Sequence, residues 1–433
     1  MTSLLNSVFS SFSSWSVSQQ PSTSPSLKDT KADSACDLIT ALIPPLPTEA
    51  EAVEAIAKLD TAVELVQFWN YPCETHTVKT ADSYILNLHR ISNKRGETTA
   101  YTAPRPSPKP AVIVWHGLAI SSEAWVCCPG GPSRNFAFVL ADAGFDVWMA
   151  NSRGNKYSLD YHHDGKGPVN DFWKFGLDEM ANNDVRAVVH YVRAQTGRDK
   201  VTYIGYSQGS AIGFAALSMD EELNQHVDMF IAMAPAMRPK PLANAKVSYI
   251  VDTFSPDILY KVLGRSSFLP FADAARRVLG PSNNAVLVQG ALEGIFGWRC
   301  DKWPVRWRPA LYSHLFSHAS MKCIVHWFQI ITTGTFSHYH PGADQSSFVA
   351  TAAQSSCPPV PYPTRHITTK MHLFAGGRDN ISDVDFMRKA LPRSAVIDVV
   401  QDYEHMDFLW ADSAKDLVWD KIVKIIRDLQ KSS

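Results

Sequence analysis

An α/β fold whose mostly parallel sheet is interrupted by a large insertion is what this sequence predicts, and three observations predict it. Strand-like runs alternate with helical patterns from Ala111 to Ala236 at the spacing of parallel βαβ units. Val201-Thr202-Tyr203-Ile204-Gly205-Tyr206-Ser207-Gln208-Gly209-Ser210 drives a β-rich run through Gly-x-Ser-x-Gly into a helical pattern that reaches Met219. That is the strand, sharp turn and helix of a nucleophile elbow, with small residues at 205 and 209 because strand and helix pack closely there. A long aromatic-rich region follows, and the sheet signal resumes only at Met371.

At 433 residues, 45% hydrophobic and 19% charged, the chain has the balance of a globular enzyme with a large core. Its net charge of -1 gives no reason to expect a nucleic acid or other polyanion as partner. Cysteines at 36, 73, 127, 128, 300, 323 and 357 form no C-x-x-C pairs, so reduced, packed thiols are expected, with Cys300 and Cys323 the pair to watch for a bridge. No stretch reaches the roughly 18 to 20 consecutive apolar residues of a membrane-spanning helix. A secretory signal is not expected either, since no Lys or Arg precedes Lys28 and serines break up the apolar residues near the start.

Taken in order, residues 1–35 read as a Ser-rich tail. Within it Leu4, Leu5, Val8, Phe9, Phe12 and Trp15 share a helical arc of about 140° opposite a row of serines, a face suited to a lipid droplet or membrane surface. Residues 36–236 read as the first part of the core. Glu49 to Phe68 has helical spacing; His76 to Val78 and Tyr84 to His89 read as a hairpin; Thr98 to Pro110 is a Pro-rich loop. Ala111 to Trp115 is a buried strand ending in His116-Gly117-Leu118, followed by a helix from Ser133 to Ala143, a strand from Phe145 to Ala150, a helix from Leu177 to Arg193, and then the elbow. Asp228 to Ala236 is the next strand. Residues 237–365 read as an inserted cap or lid, whose many aromatic residues would form its own core and an apolar pocket beside the serine. Residues 366–433 return to the sheet with Met371 to Ala375, Ala395 to Val400 and a helix from Asp412 to Leu429.

An alcohol is a poor nucleophile at neutral pH, so Ser207 needs a base, and the base needs an acid to fix its tautomer. His405 follows the last strand, and Asp379 sits where Gly376-Gly377-Arg378 turns the chain at a strand end. Asp383, Asp385, Asp402 and Asp407 remain rivals for the acid's place. The order serine, acid, histidine belongs to α/β-hydrolases. Backbone N–H groups of Leu118 and Gln208 are the expected oxyanion donors. No cofactor is expected, and no metal: His162 and His163 lack a third ligand at a sensible spacing. The sequon Asn380-Ile381-Ser382 adjoins the acid, so a glycan there would obstruct the site.

With those residues in place, the chain resembles the acid lipase family of α/β-hydrolases, which includes gastric and lysosomal acid lipases and fungal steryl ester hydrolases. The resemblance runs from about Asn70 to Ile425, through Asn70-Tyr71-Pro72, His116-Gly117-Leu118, Asn151 to Ser158, the elbow, Gly376 to Asp379 and Tyr403 to Phe408. It implies a mostly parallel sheet flanked by helices under a mobile cap, a Ser207, His405 and Asp379 triad, and hydrolysis of triacylglycerols or steryl esters. Arg153-Gly154-Asn155-Lys156-Tyr157-Ser158, and Tyr206 where the animal enzymes usually have histidine, tilt the likeness toward the fungal branch. That branch implies an intracellular, lipid-associated esterase, with a secreted or lysosomal setting as the alternative. An acyltransferase using the same serine, or a catalytically silent lipid-binding protein, would carry much of the same pattern.

Overall fold

The computed structural model describes residues 45–97, 108–161, 172–240, 266–269, 272–340 and 359–431. The amphipathic reading of residues 1–15, most of the Pro-rich loop, His162, His163, Cys36, Cys357, Phe254 and Phe271 lie outside them.

The Glu49 to Phe68 segment forms two helices, α1 (Glu49–Ile56) and α2 (Ala62–Phe68), where the sequence pattern predicts one. Each opens with its own capping box, Thr48 with Glu51 and Thr61 with Glu64, and a second start signal inside an apolar-periodic run ends the first helix. Strands β1 (Glu74–Lys79) and β2 (Tyr84–Ile91) make the expected antiparallel hairpin. Then come β3 (Ala111–Trp115), α3 (Phe136–Asp142), β4 (Asp146–Ala150) and a two-residue β5 (Asp160–Tyr161) against β2.

The next helix starts at Leu177, winds as a π-helix over Met180–Val185 and continues as α4 (Arg186–Thr196), a change of pitch that apolar periodicity does not reveal. It leads to β6 (Val201–Tyr206), α5 (Gln208–Met219), α6 (Glu221–His226) and β7 (Val227–Met233). The described part of the insertion holds β8 (Ser267–Phe268), α7 (Ala272–Phe296, kinked at Gly280 and Pro281), α8 (Arg308–Ser313), β9 (Ala319–Ser320) and α9 (Met321–Thr333). The chain closes with β10 (Lys370–Gly376), α10 (Val384–Ala390), β11 (Val396–Val400), α11 (Asp407–Trp410) and α12 (Asp420–Lys431). The closing helix expected from Asp412 runs on from Ala414 to Lys431, winding as a π-helix over Lys415–Trp419 before continuing as α12.

The sheet order is β1-β2-β4-β3-β6-β7-β10-β11, and every pair from β4 onward is parallel. All residues of β3, β4 and β6 are buried, as strands covered by helices on both faces must be. Alternation along the strands splits the core in two. Val112, Val114, Ile204 and Ile231 pack with α3 and α12 residues on one face, and Ile113, Trp115, Tyr203 and Phe230 pack with α4 and α5 residues on the other. The registers Trp115 with Gly205, Tyr206 with Met233, and Met233 with Phe374 bring the carboxyl ends of β3, β6, β7 and β10 together. That edge is where open α/β sheets bind ligands.

Candidate active site

Between β6 and α5 the chain turns through Ser207 at φ 53° and ψ -120°, a conformation that exposes the side chain at the cost of backbone strain. The flanking glycines are obligatory. A Cβ at Gly205 would lie 2.6 Å from the backbone of Gly209, and one at Gly209 would lie 2.4 Å from the carbonyl oxygen of Trp115. Any larger residue forces strand and helix apart.

Ser207 Oγ lies 2.8 Å from His405 Nε2. His405 Nδ1 lies 2.8 Å from Asp379 Oδ2 on the far edge of the ring. With the proton on Nδ1 donated to the carboxylate, Nε2 is left to accept from the serine hydroxyl. Both His405 and Asp379 are buried. Asp379 is itself held by its neighbours: Ile381 N donates to Oδ1 at 2.8 Å and Ser382 Oγ lies 2.9 Å from Oδ2.

The rival acids are occupied elsewhere. Asp383 caps α10 and pairs with Arg238, Asp385 is exposed beside Arg388, and Asp402 is exposed. Asp407 is buried, accepts from Glu404 N at 2.7 Å, and is pushed up to about 7 by burial.

Leu118 and Gln208 both line the cavity that contains Ser207. The loop carrying Leu118 is anchored from below by His116, whose Nε2 accepts from Ser152 N at 3.0 Å. Burial pushes His116 down to about 4, so at neutral pH it is an acceptor and not a cation. Gln208 is gripped by the insertion: its Oε1 accepts from Trp327 Nε1 at 2.8 Å and lies 3.1 Å from Cys323 Sγ. Cys300 and Cys323 are both free thiols, as are Cys73, Cys127 and Cys128, so the bridge between 300 and 323 does not form.

The cavity measures about 430 Å³ and is walled by Leu292, Phe296, Leu315, Phe316, Trp327 and Ile331 among others, leaving Ser207, Gln208 and His405 as almost its only polar groups. A larger cavity of about 580 Å³ lies at the opposite ends of the strands, beside Arg198, Lys200 and Asp228, away from this chemistry. Among the described residues, His190, Glu222 and His226 bring possible metal-ligating atoms within 4.8 Å of one another, but Glu222 is bound to Arg186 there.

Sequence reasoning missed three supports of the triad. Ser382 was visible only as part of a sequon, whose Asn380 spends its side-chain amide on Phe296 O and Trp298 Nε1. Tyr206 donates its hydroxyl to His405 O at 3.2 Å. Trp298, one aromatic among many in the insertion, stacks on His405.

Comparison with known proteins shows the family of the fold that carries this site. Residues 62–128 match the partial alpha/beta-hydrolase lipase region and residues 110–289 the alpha/beta hydrolase fold. A probable lipase of Schizosaccharomyces pombe is 37% identical over 84% of this chain and 76% of its own. Lysosomal acid lipase/cholesteryl ester hydrolase of Macaca fascicularis is 30% identical over 85% and 90% respectively, and human lipase member M is 29% identical over 88% of each. The chain therefore belongs to the acid lipase family of α/β-hydrolases, and with it to the carboxylic ester hydrolases.

Proposed function

We propose that this hydrolase cleaves neutral lipid esters, steryl esters or triacylglycerols, through an acyl-enzyme on Ser207. The observation that carries the reading is the Asp379, His405 and Ser207 relay opening into a cavity with almost no other polar lining. Such walls favour a long acyl chain and offer nothing to a charged substrate.

In this mechanism Ser207 Oγ attacks the ester carbonyl carbon as His405 Nε2 takes its proton, with Asp379 stabilising the imidazolium. Leu118 N–H and Gln208 N–H meet the oxyanion. His405 then returns the proton to the departing alcohol, leaving the acyl group on Ser207. Water repeats the sequence and releases the fatty acid, so the enzyme ends as it began.

A hydrolysis panel of cholesteryl oleate, triolein and a short p-nitrophenyl ester, run with a fluorophosphonate label, tests the reading. All three esters should be cleaved, the long-chain ones with higher kcat/KM, and the label should sit on Ser207. Cleavage of the short ester alone would remove the lipid assignment.

The lipid-facing pattern of residues 1–15 supports attachment to a droplet or membrane surface, whereas gastric and lysosomal relatives fit a secreted or lysosomal setting. No described helix is long and apolar enough to cross a membrane. Deleting residues 1–18 should shift the protein from the floating lipid layer to the soluble fraction; an unchanged partition rejects surface attachment through that segment.

A further inference from the structure

Residues 296–300, where α7 ends, are gripped from both of the loops that carry the acid and the base. Asn380, next after Asp379, accepts from Trp298 Nε1 at 2.8 Å and donates to Phe296 O at 2.8 Å. Glu404, the residue before His405 and itself buried, accepts from Arg299 N at 2.8 Å and from Cys300 N at 3.0 Å with the same oxygen. Cys300 stands at φ 54°, part of the turn that points two successive N–H groups at one acceptor. So held, the Trp298 ring lies nearly flat on the imidazole, with centroids 4.9 Å apart and an interplanar angle of 17°. Phe296 backs it at 4.2 Å and 12°.

Other groups facing His405 are few. Asp379 and Ser207 take its two nitrogens, and the Tyr206 ring covers part of it at 5.2 Å and 41°. The nearby carboxyls of Glu404 and Asp407 are turned to backbone amides.

We propose that Trp298 is a positioning residue for the base: clamped by Asn380 and Glu404, it holds the imidazole between Asp379 and Ser207 and favours the charged ring that forms when Ser207 loses its proton. The inference rests on the serine mechanism above and adds control by the insertion. The proton route is unchanged: it passes from Ser207 Oγ to His405 Nε2 and from there to the departing alcohol. An aromatic face attracts a cation lying over it, and an aliphatic cover of similar bulk does not. Because the ring belongs to the insertion, any displacement of residues 296–300 removes it from the base and slows the chemical step.

The test compares full-length wild type with Trp298→Leu, Trp298→Phe and Asn380→Ala. The readouts are kcat and KM on a soluble ester and the pH dependence of fluorophosphonate labelling at Ser207. Trp298→Leu should lower kcat about tenfold with KM within about twofold, and move the acid limb of labelling to lower pH by up to about one unit. Trp298→Phe, which keeps an aromatic face, should stay within about threefold of wild type. Asn380→Ala leaves the indole in place but unclamped, and should fall about threefold in kcat even where the leucine variant does not fold. An unmoved acid limb with equal losses in the Leu and Phe variants overturns the proposal, as does wild-type kcat in Asn380→Ala together with Trp298→Leu. Wild-type protein that takes no label at Ser207 instead overturns the serine mechanism, and the proposal with it.

Discussion

Ser207→Ala should reduce ester turnover by about six orders of magnitude, and His405→Ala by a similar factor. The hydroxyl and imidazole stand 2.8 Å apart and, in the mechanism proposed above, act as one unit: without the ring the serine stays protonated, and without the serine the ring has nothing to activate. Their losses are therefore not additive, and the double variant should be no slower than either single one. Asp379→Asn should cost about four orders of magnitude, because an amide facing Nδ1 favours the tautomer that cannot accept from Ser207. All of these variants keep the Leu118 and Gln208 amides, so a residual rate of about a thousandfold over water should persist. Turnover of a chromogenic ester, checked against a thermal melt of each variant, decides the matter. Retention of more than about 1% of wild-type kcat in Ser207→Ala would place the nucleophile elsewhere.

How far this site could be read in advance depends on whether its constraints are local. The elbow is local: Gly205 and Gly209 are required by contacts within one strand, turn and helix, so Gly-x-Ser-x-Gly is legible in ten residues. Sheet order makes Asp379 and His405 legible next, since each follows a strand that ends at the same edge. What decides between Asp379 and Asp407 is not local, because both adjoin late strands or the histidine and only packing shows which one meets Nδ1. Trp298 was hidden for the same reason, since its partner Asn380 is 82 residues away and the contact exists only once the insertion has folded back. The two departures from the expected helices differ in kind. Thr61 and Glu64 announce a new start that apolar periodicity alone runs straight through, whereas the π turn at Met180–Val185 keeps the same residue types and leaves no signal.

Arg153→Met should destabilise the fold by about 3 to 5 kcal/mol. Its guanidinium is buried and binds two carboxylates: Asp184 at 2.8 Å through Nε and Asp82 at 2.6 and 2.9 Å through its terminal nitrogens, with Tyr84 stacked 3.9 Å away. Burial opposes its charge, but Asp184 and Asp82 outweigh burial and hold it ionised. Asp184 shows the other side of the same balance, being pushed up to about 6 by burial in spite of Arg153. A carboxyl raised in this way weakens the fold as pH climbs from its unfolded value of about 3.8 through its folded one, because the unfolded chain gives up the proton first. Removing the guanidinium raises Asp184 further and extends that window upward. The deficit of Arg153→Met against wild type should thus be largest near pH 8 and shrink toward pH 5, where Asp184 stays protonated in the variant. Adding Asp184→Asn should recover about half of the loss at pH 8 and little at pH 5, since the amide no longer needs a countercharge. The consequence reaches the site, because Arg153 lies in the loop whose Ser152 and Asn155 hold His116, and Asp184 lies on the π turn whose Met180 touches Gln208. Urea unfolding of the three proteins at both pH values measures the effect, and a deficit that is the same at pH 5 and pH 8 would show that lost packing, and not the stranded carboxylate, sets the cost.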